Sequence, residues 1–186
     1  GAAGRSPGGA NVPGPQGSPG YRRAGGVAGG ARQEGWAVGT DSSRTSVVAH
    51  WDGNSWSAVT APDIGVLNAV AARAVNDAWA VGTGGILHYD GAAWSQVAAP
   101  AGALNSVAAV AADDAWAVGT SGILHWNGSS WAVVSSPNIG ALNAVAARAT
   151  NDAWAVGNGG SRAWGGTSGA ERPGPTGRRT RGRARS

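Results

Sequence analysis

The chain has 186 residues, a formal net charge of +4 and no cysteine, so it forms no disulfide and performs no thiol chemistry. No apolar run approaches the roughly 20 residues of a membrane-spanning helix, and we expect no membrane span. All 14 basic residues are arginine, and most lie near the two ends, whereas the segment between residues 35 and 160 holds three Arg and eight Asp. The positive net charge therefore belongs to the ends and not to the middle of the chain.

The N-terminal flank, residues 1–33, consists mainly of Gly, Ala, Pro and Arg, with few large apolar side chains. Such a composition buries too little apolar surface to offset the conformational entropy lost on folding. We therefore predict a disordered flank, with a faint trace at Val27 and Ala28 of the repeat that follows.

A repeat begins after this flank. The tetrapeptide Trp-Ala-Val-Gly occurs at Trp36–Gly39, Trp79–Gly82, Trp116–Gly119 and Trp154–Gly157. Its spacings of 43, 37 and 38 residues are typical of propeller blades and solenoid repeats, in which one supersecondary unit recurs and buries its apolar face on its neighbours.

Each unit contains four short strand patterns separated by turn signals. In the second unit these are Leu67–Ala72, Ala78–Gly82, Ile86–Tyr89 and a segment that starts at Trp94, with Asn-Asp, Gly and Asp-Gly between them. No helical period is present, which favours an all-β propeller over helical repeats. We predict about three to three and a half four-stranded blades within residues 34–160, with units near 34–62, 67–100, 104–137 and 142–160.

Two local features of the repeat have structural consequences. The glycine that ends each Trp-Ala-Val-Gly motif is expected to take a positive φ in the following turn. In the first unit, five additional residues around Asp41–Ser46 lengthen this turn, and insertions of this kind lie in loops that often carry function.

The C-terminal flank, residues 161–186, holds a decayed repeat around Trp164 and an Arg-rich segment, Arg178–Arg185. We predict that it is disordered. Arg-rich tails bind nucleic acid through phosphate contacts, but this one lacks the interleaved aromatic residues that stack on bases, so nucleic acid is not the expected partner.

The repeat fades at both ends, which fits either divergent terminal blades or a frame change in a GC-rich gene. We expect the chain to be a piece of a longer propeller. Alternatively, two copies form a homodimer that closes one ring and removes the open sheet edges.

Three histidines, His50, His88 and His125, occupy one repeat position and invite comparison with a three-histidine metal site. Because each lies on the third strand of a different blade, and blades diverge from the axis, we expect them to be too far apart to share a metal. We predict a structural role for them, with no metal and no cofactor.

The tryptophans must supply the large core side chains, since the chain has no Phe and no Met. Flat aromatic rings also suit carbohydrate faces, and residues beside hairpin turns are the expected exceptions to burial. The candidate ligand contacts are three such aromatic residues and two arginines at equivalent repeat positions: Trp51, Tyr89, Trp126, Arg73 and Arg148.

No catalytic pattern is apparent, and we predict that the chain is not an enzyme. A glycosidase needs two carboxylates converging on one bond, and a sialidase adds an Arg cluster. Here no Glu lies between Glu34 and Glu171, and Asp77, Asp114 and Asp152 are explained by turns, where such side chains bond the local backbone.

The motif Asp-Ala-Trp-Ala-Val-Gly, together with His-Trp-Asp-Gly-x-Ser-Trp at His50–Trp56, resembles bacterial propeller repeats of the BNR/Asp-box, photosystem II assembly factor and Kelch-like types. The resemblance covers residues 35–160 and implies a propeller, in an extracellular or cell-envelope protein. Together these features predict a non-catalytic scaffold for a protein or glycan ligand. The alternatives are a fragment of a sialidase-like or other propeller hydrolase, and a nucleic-acid binder acting through the Arg-rich tail.

Overall fold

The computed structural model describes residues 23–29, 34–120, 122–136, 140–149, 152–158, 160–165 and 171–173. These residues form strands and turns without a helix, so none of them belongs to a helix able to cross a membrane. The Arg-rich segment Arg178–Arg185 and residues 1–22 lie outside the described residues, and what the sequence indicates for them stays a prediction.

The strands pair into four antiparallel sheets, each with its four strands in chain order. Sheet 1 contains β1 (Arg23–Gly29), β2 (Gly35–Thr40), β3 (Ser46–Trp51) and β4 (Trp56–Val59). Sheet 2 contains β5 (Leu67–Ala74), β6 (Asp77–Gly82), β7 (Gly85–Tyr89) and β8 (Trp94–Val97). Sheet 3 contains β9 (Leu104–Ala111), β10 (Asp114–Gly119), β11 (Gly122–Trp126) and β12 (Trp131–Val134). Sheet 4 contains β13 (Leu142–Ala149), β14 (Asp152–Gly157), β15 (Gly160–Gly165) and β16 (Glu171–Pro173).

Neighbouring sheets meet through their first strands: β1 contacts β5, β5 contacts β9, and β9 contacts β13. The first strand of each sheet is therefore the innermost one. The four sheets lie side by side with their first strands adjacent, as propeller blades do. The prediction of an all-β propeller fragment is confirmed.

The structure has more strands at both ends than the sequence analysis gives. Strand β1 lies within residues 1–33, and β16 with most of β15 lies within residues 161–186, both of which we predicted to be disordered. In β1 the backbone pairs with β2, with Ala28 opposite Trp36 as Ala71 is opposite Trp79. Backbone pairing thus extends the repeat into segments that are poor in large apolar side chains.

The β-bulges in the inner strands β5 and β9 each connect the strand to the next blade. The register shifts at Asn68 in β5 and at Asn105 in β9. There the Asn68 amide donates to the Leu104 carbonyl at 2.8 Å, and the Asn105 amide donates to the Leu142 carbonyl at 2.8 Å. Bulges re-aim side chains, and the bulges of β5 and β9 aim an asparagine across the boundary between blades.

The apolar core is divided among the boundaries between sheets. From each second strand, the motif tryptophan enters the following sheet: Trp36 meets Trp94 with ring centroids 5.1 Å apart, and Trp79 meets Trp131 at 5.2 Å, both at 87°. Edge-to-face pairs of this kind contribute roughly 0.5–1.5 kcal/mol beyond the area they bury. The predicted core role of the repeat tryptophans is confirmed for these two pairs.

The glycines that end the motif need space and not a positive φ, so our expectation for them is wrong. A Cβ built on Gly119 would lie 2.1 Å from the Ala103 carbonyl oxygen, and one on Gly82 would lie 2.1 Å from the Val66 oxygen. Positive φ occurs instead at Gly85 and Gly122, which begin the third strands. The motif glycine therefore lets the start of the first strand approach the second strand closely.

This close approach predicts unequal costs for two substitutions in one hairpin. Gly119→Ala forces backbone to move and should cost about 3 kcal/mol of unfolding free energy, the upper range for an overpacked site. Gly122→Ala meets no atom within 4 Å. Its positive φ alone should cost about 1–2 kcal/mol. Urea unfolding followed by tryptophan fluorescence compares the two, and equal losses would contradict the close-approach explanation.

Candidate functional site

One face of the array, which we call the hairpin-turn face, lies where the first and third strands of every sheet end. The two turns of a sheet touch there: a Cβ on Gly91 would come within 2.8 Å of the Asn76 Cβ. All five candidate ligand contacts lie at this face. Near the ends of first strands are Arg73 and Arg148, and at the ends of third strands are Trp51, Tyr89 and Trp126.

In sheet 2 this face carries a three-residue polar unit. Asp77, which begins β6, is buried. Its Oδ2 accepts a hydrogen bond from Arg73 Nε–H, with 2.6 Å between the two heavy atoms. Its Oδ1 lies 2.9 Å from Nε2 of His88, which sits on β7 beside it. Both carboxylate oxygens are therefore paired, which compensates for most of the cost of burying the charge.

Sheet 3 repeats the unit without its arginine. Asp114 Oδ1 lies 2.8 Å from Nε2 of His125, but Val110 occupies the position that Arg73 has in sheet 2. Asp114 is almost fully buried, and its Oδ2 has no hydrogen-bond partner within the described part of the chain. The imidazole of His125 is thus the side chain that balances this buried carboxylate.

The outer sheets hold weaker versions of the same unit. In sheet 1, Glu34 takes the place of the aspartate and lies 4.0 Å from Nε2 of His50. In sheet 4, Arg148 lies 3.6 Å from Asp152, and Ala163 stands opposite Trp154 where the other sheets have histidine.

Each histidine also packs on the tryptophan of its own sheet. The ring centroids of Trp36 and His50, of Trp79 and His88, and of Trp116 and His125 are separated by 4.5, 4.1 and 4.3 Å. Every histidine therefore lies between its own carboxylate and its own tryptophan. Among the described residues no three His, Cys, Asp or Glu side chains form a group able to hold a metal.

The acidic partners of the histidines are what the sequence analysis missed. We assigned Asp77 and Asp114 to turns, whereas the structure pairs them with His88 and His125. A signal was present, because an acidic residue stands two positions before the motif tryptophan in every unit. Only strand pairing shows that this position lies beside the third-strand histidine.

The difference between sheets 2 and 3 predicts different costs for the same substitution. His125→Ala leaves Asp114 buried without a partner and should lower the unfolding free energy by about 3 kcal/mol at neutral pH. His88→Ala leaves Arg73 on Asp77 and should cost roughly half as much. Urea unfolding of the two variants at pH 7 tests this, and equal losses would contradict it.

The aromatic candidates are packed between blades. Tyr89 lies 4.7 Å from Trp36, and Trp126 lies 5.1 Å from Trp79, each contacting the tryptophan of the preceding sheet. Their polar groups bond the backbone, Tyr89 OH to Gly91 O and Trp126 Nε1 to Ala112 O. Trp51 is half-buried and contacts Trp56 at 5.6 Å.

Exposed carboxylates cap the third turn of sheets 1 and 2 on this face. Asp90 Oδ1 accepts the backbone N–H groups of Ala92 and Ala93 at 2.9 and 3.0 Å. Hydrogen bonds from Ala93 and then Ala92 hold the pKa of Asp90 below its ordinary value, and those from Ser55 and then Asn54 do the same for the pKa of Asp52. In sheet 3, Asn127 accepts the corresponding bonds from Ser129 and Ser130.

This turn gives a prediction for acid stability. Because the pKa of Asp90 is lower in the folded chain than in the unfolded chain, its stabilising effect is present above the unfolded pKa and is lost as pH falls through the folded pKa. Asp90→Asn keeps the acceptor and should flatten the fall in stability below about pH 4. The reciprocal variant Asn127→Asp should steepen it. Thermal unfolding between pH 2 and 7 measures both, and parallel curves for the three proteins would contradict the expectation.

The opposite face carries longer loops. A groove of about 540 Å³ lies there on sheet 2, lined by Thr83–Gly85 and Gln96–Gly102. The lengthened turn of sheet 1 is also on that face, where Asp41 Oδ1 accepts the N–H groups of Ser43 and Thr45 at 2.8 and 2.9 Å. Neither feature contains a converging set of ionisable side chains.

Comparison with known proteins identifies the fold. No protein-family model and no curated protein sequence matches the chain. Among solved structures, YCF48 bound to a D1 peptide matches with a TM-score of 0.60 and 21% identity over 81% of this chain and 54% of that one. U3-55K matches with a TM-score of 0.61 and 14% identity over 78% and 51% of the two chains. YCF48 from Cyanidioschyzon merolae matches with a TM-score of 0.59 and 18% identity over 86% and 57%.

The chain spans about half the length of each of these structures. At this level of identity the likeness concerns the fold alone, and it agrees with the propeller arrangement of the four sheets.

Proposed function

We propose that the chain is a non-catalytic propeller scaffold that binds a protein ligand at its hairpin-turn face. Its proposed contact residues are Trp51, Tyr89, Trp126, Arg73 and Arg148. The observation that carries the proposal is that strand topology brings the two repeat positions, that of the three aromatic residues and that of the two arginines, to this one face.

The chemistry of the face suits a peptide. The Arg148 side chain is 86% exposed and lies beside Asp152, and Asp52 and Asp90 place exposed carboxylates at neighbouring turns. Charged groups of both signs bind side chains of a peptide.

The packing of the aromatic residues favours protein over glycan. Stacking on a sugar requires an open ring face. Tyr89 has Trp36 and Trp94 against it, and Trp126 has Trp79 and Trp131. At Tyr89 and Trp126, ring edges rather than ring faces therefore remain for a ligand, as in contacts with apolar side chains.

The structural comparison supports the same class of ligand, since one matched propeller, YCF48, is bound to a peptide. The proposal includes the finer type suggested by the motif, a bacterial repeat of the BNR/Asp-box, photosystem II assembly factor or Kelch-like type, in an exported or envelope protein. It assigns no reaction to the carboxylates of the face, because Asp77 and Asp114 are engaged by His88 and His125.

The test begins with panning a random peptide display library on the full chain and measuring the selected peptides by calorimetry. Arg148→Glu should weaken binding at least tenfold, because it reverses an exposed charge on the proposed face, as for a rim charge pair worth about 1.4 kcal/mol. The matched control is Arg44→Glu, the same reversal in the β2–β3 turn on the opposite face, which should leave affinity unchanged.

Three outcomes would overturn the proposal. They are equal effects of the two charge reversals, selective binding on a glycan array without any peptide binder, and cleavage of fluorogenic glycosides by the purified chain. Nucleic-acid binding that disappears when the arginines of 178–185 are replaced by serine would instead support the tail as the functional segment.

A further inference from the structure

Sheet 4 presents an apolar face that the other sheets bury. Trp154 is 42% exposed, whereas its equivalents Trp36, Trp79 and Trp116 are 3%, 1% and 5% exposed. Val156 is 44% exposed, whereas Val38, Val81 and Val118 are at most 3% exposed. In sheets 1 to 3 these side chains enter the following sheet. We call Asn143, Trp154 and Val156 the knob face.

Sheet 1 presents the matching face, which in the other sheets receives the preceding tryptophan. Val27 is 68% exposed, whereas its equivalents Val70 and Val107 are 8% and 7% exposed. We call Val27, Trp51 and Trp56 the socket face. Trp56 and Trp51 correspond to Trp94 and Tyr89, between which Trp36 packs in sheet 2.

The socket is already formed in sheet 1. The rings of Trp51 and Trp56 are 5.6 Å apart at 48°, and the occupied pairs Tyr89–Trp94 and Trp126–Trp131 are 5.6 and 5.9 Å apart at 38° and 45°. Since an incoming tryptophan would meet this arrangement without rearrangement of the pair, little ordering cost opposes its binding.

The asparagine of the knob face, Asn143, makes no hydrogen bond to another blade among the described residues. Asn68 and Asn105 donate to the leucine carbonyl of the next inner strand, whereas Asn143 donates to Asn158 Oδ1 at 3.0 Å within its own sheet. A further inner strand beside β13 would offer Asn143 the same type of acceptor.

We propose that a second copy of this chain occupies these faces, with the knob of each copy in the socket of the other. The contact is heterologous, and two such contacts close a ring of two copies, which covers the knob face of sheet 4 and the socket face of sheet 1. A second copy is favoured because one chain carries both complementary surfaces. Residues equivalent to the two surfaces already pack against each other at the three boundaries between its own sheets. The chain also covers 51–57% of the matched propellers, so two copies supply about as much chain as one of them.

The experiment is sedimentation velocity on the full chain over a wide concentration range, with Trp154→Arg blocking the knob and Trp56→Arg blocking the socket. The wild type should be a dimer, and each variant alone should be monomeric. An equimolar mixture of the variants should form a dimer again, because the intact socket of one accepts the intact knob of the other. Val75→Arg, at an exposed valine in the β5–β6 turn, is the control and should remain a dimer.

Far-UV circular dichroism establishes that each variant keeps its β content, and since Trp154 is exposed, its replacement need not disturb the fold. A wild-type monomer would mean that further repeats of a longer polypeptide or another protein cover these faces, and it overturns the proposal. Failure of the mixed variants to associate overturns the head-to-tail contact, and assemblies longer than a dimer overturn ring closure. None of these outcomes depends on the peptide-binding experiment.

Discussion

The structure depends on one repeated interaction, the insertion of a tryptophan from the second strand of sheets 1, 2 and 3 into the sheet that follows. A chain without Phe or Met has few other large side chains with which to fill the space between sheets, and the edge-to-face contacts of Trp36 with Trp94 and of Trp79 with Trp131 fill it. Because each tryptophan is buried by the next sheet and not by its own, no blade completes its core alone.

The polar face is built around the same tryptophans. In sheets 1, 2 and 3 each tryptophan packs on a histidine of its own sheet, and the histidine in turn lies beside the acidic residue two positions before the tryptophan. In sheet 2 Arg73 completes the unit, and both oxygens of the Asp77 carboxylate are paired. In sheet 3 Val110 replaces the arginine, and one oxygen of the Asp114 carboxylate has no partner among the described residues. Repetition of the backbone therefore fixes the location of these groups, while single substitutions set the charge that each blade presents.

Interactions between sheets also determine what happens at the two ends of the array. The asparagine at the bulge, the glycine at the close approach and the tryptophan all act across or beside a boundary, and the boundary residues of sheets 1 and 4 are complementary. The proposed ligand binding at the hairpin-turn face and the proposed association through the end faces would use different surfaces, apart from Trp51, which belongs to both.

The sequence by itself determined the period, the strands of the central units and the tryptophan core, because these follow from local turn residues and from apolar residues that recur at fixed spacing. It did not reveal β1 and β16, since strands poor in apolar side chains are held by pairing with neighbours. Nor did it reveal the close approach at Gly119, the pairing of Asp114 with His125 or that the aromatic and arginine candidates share one face. These were decided by tertiary structure, because each depends on the distance between groups in different strands or sheets, which spacing along the chain does not specify.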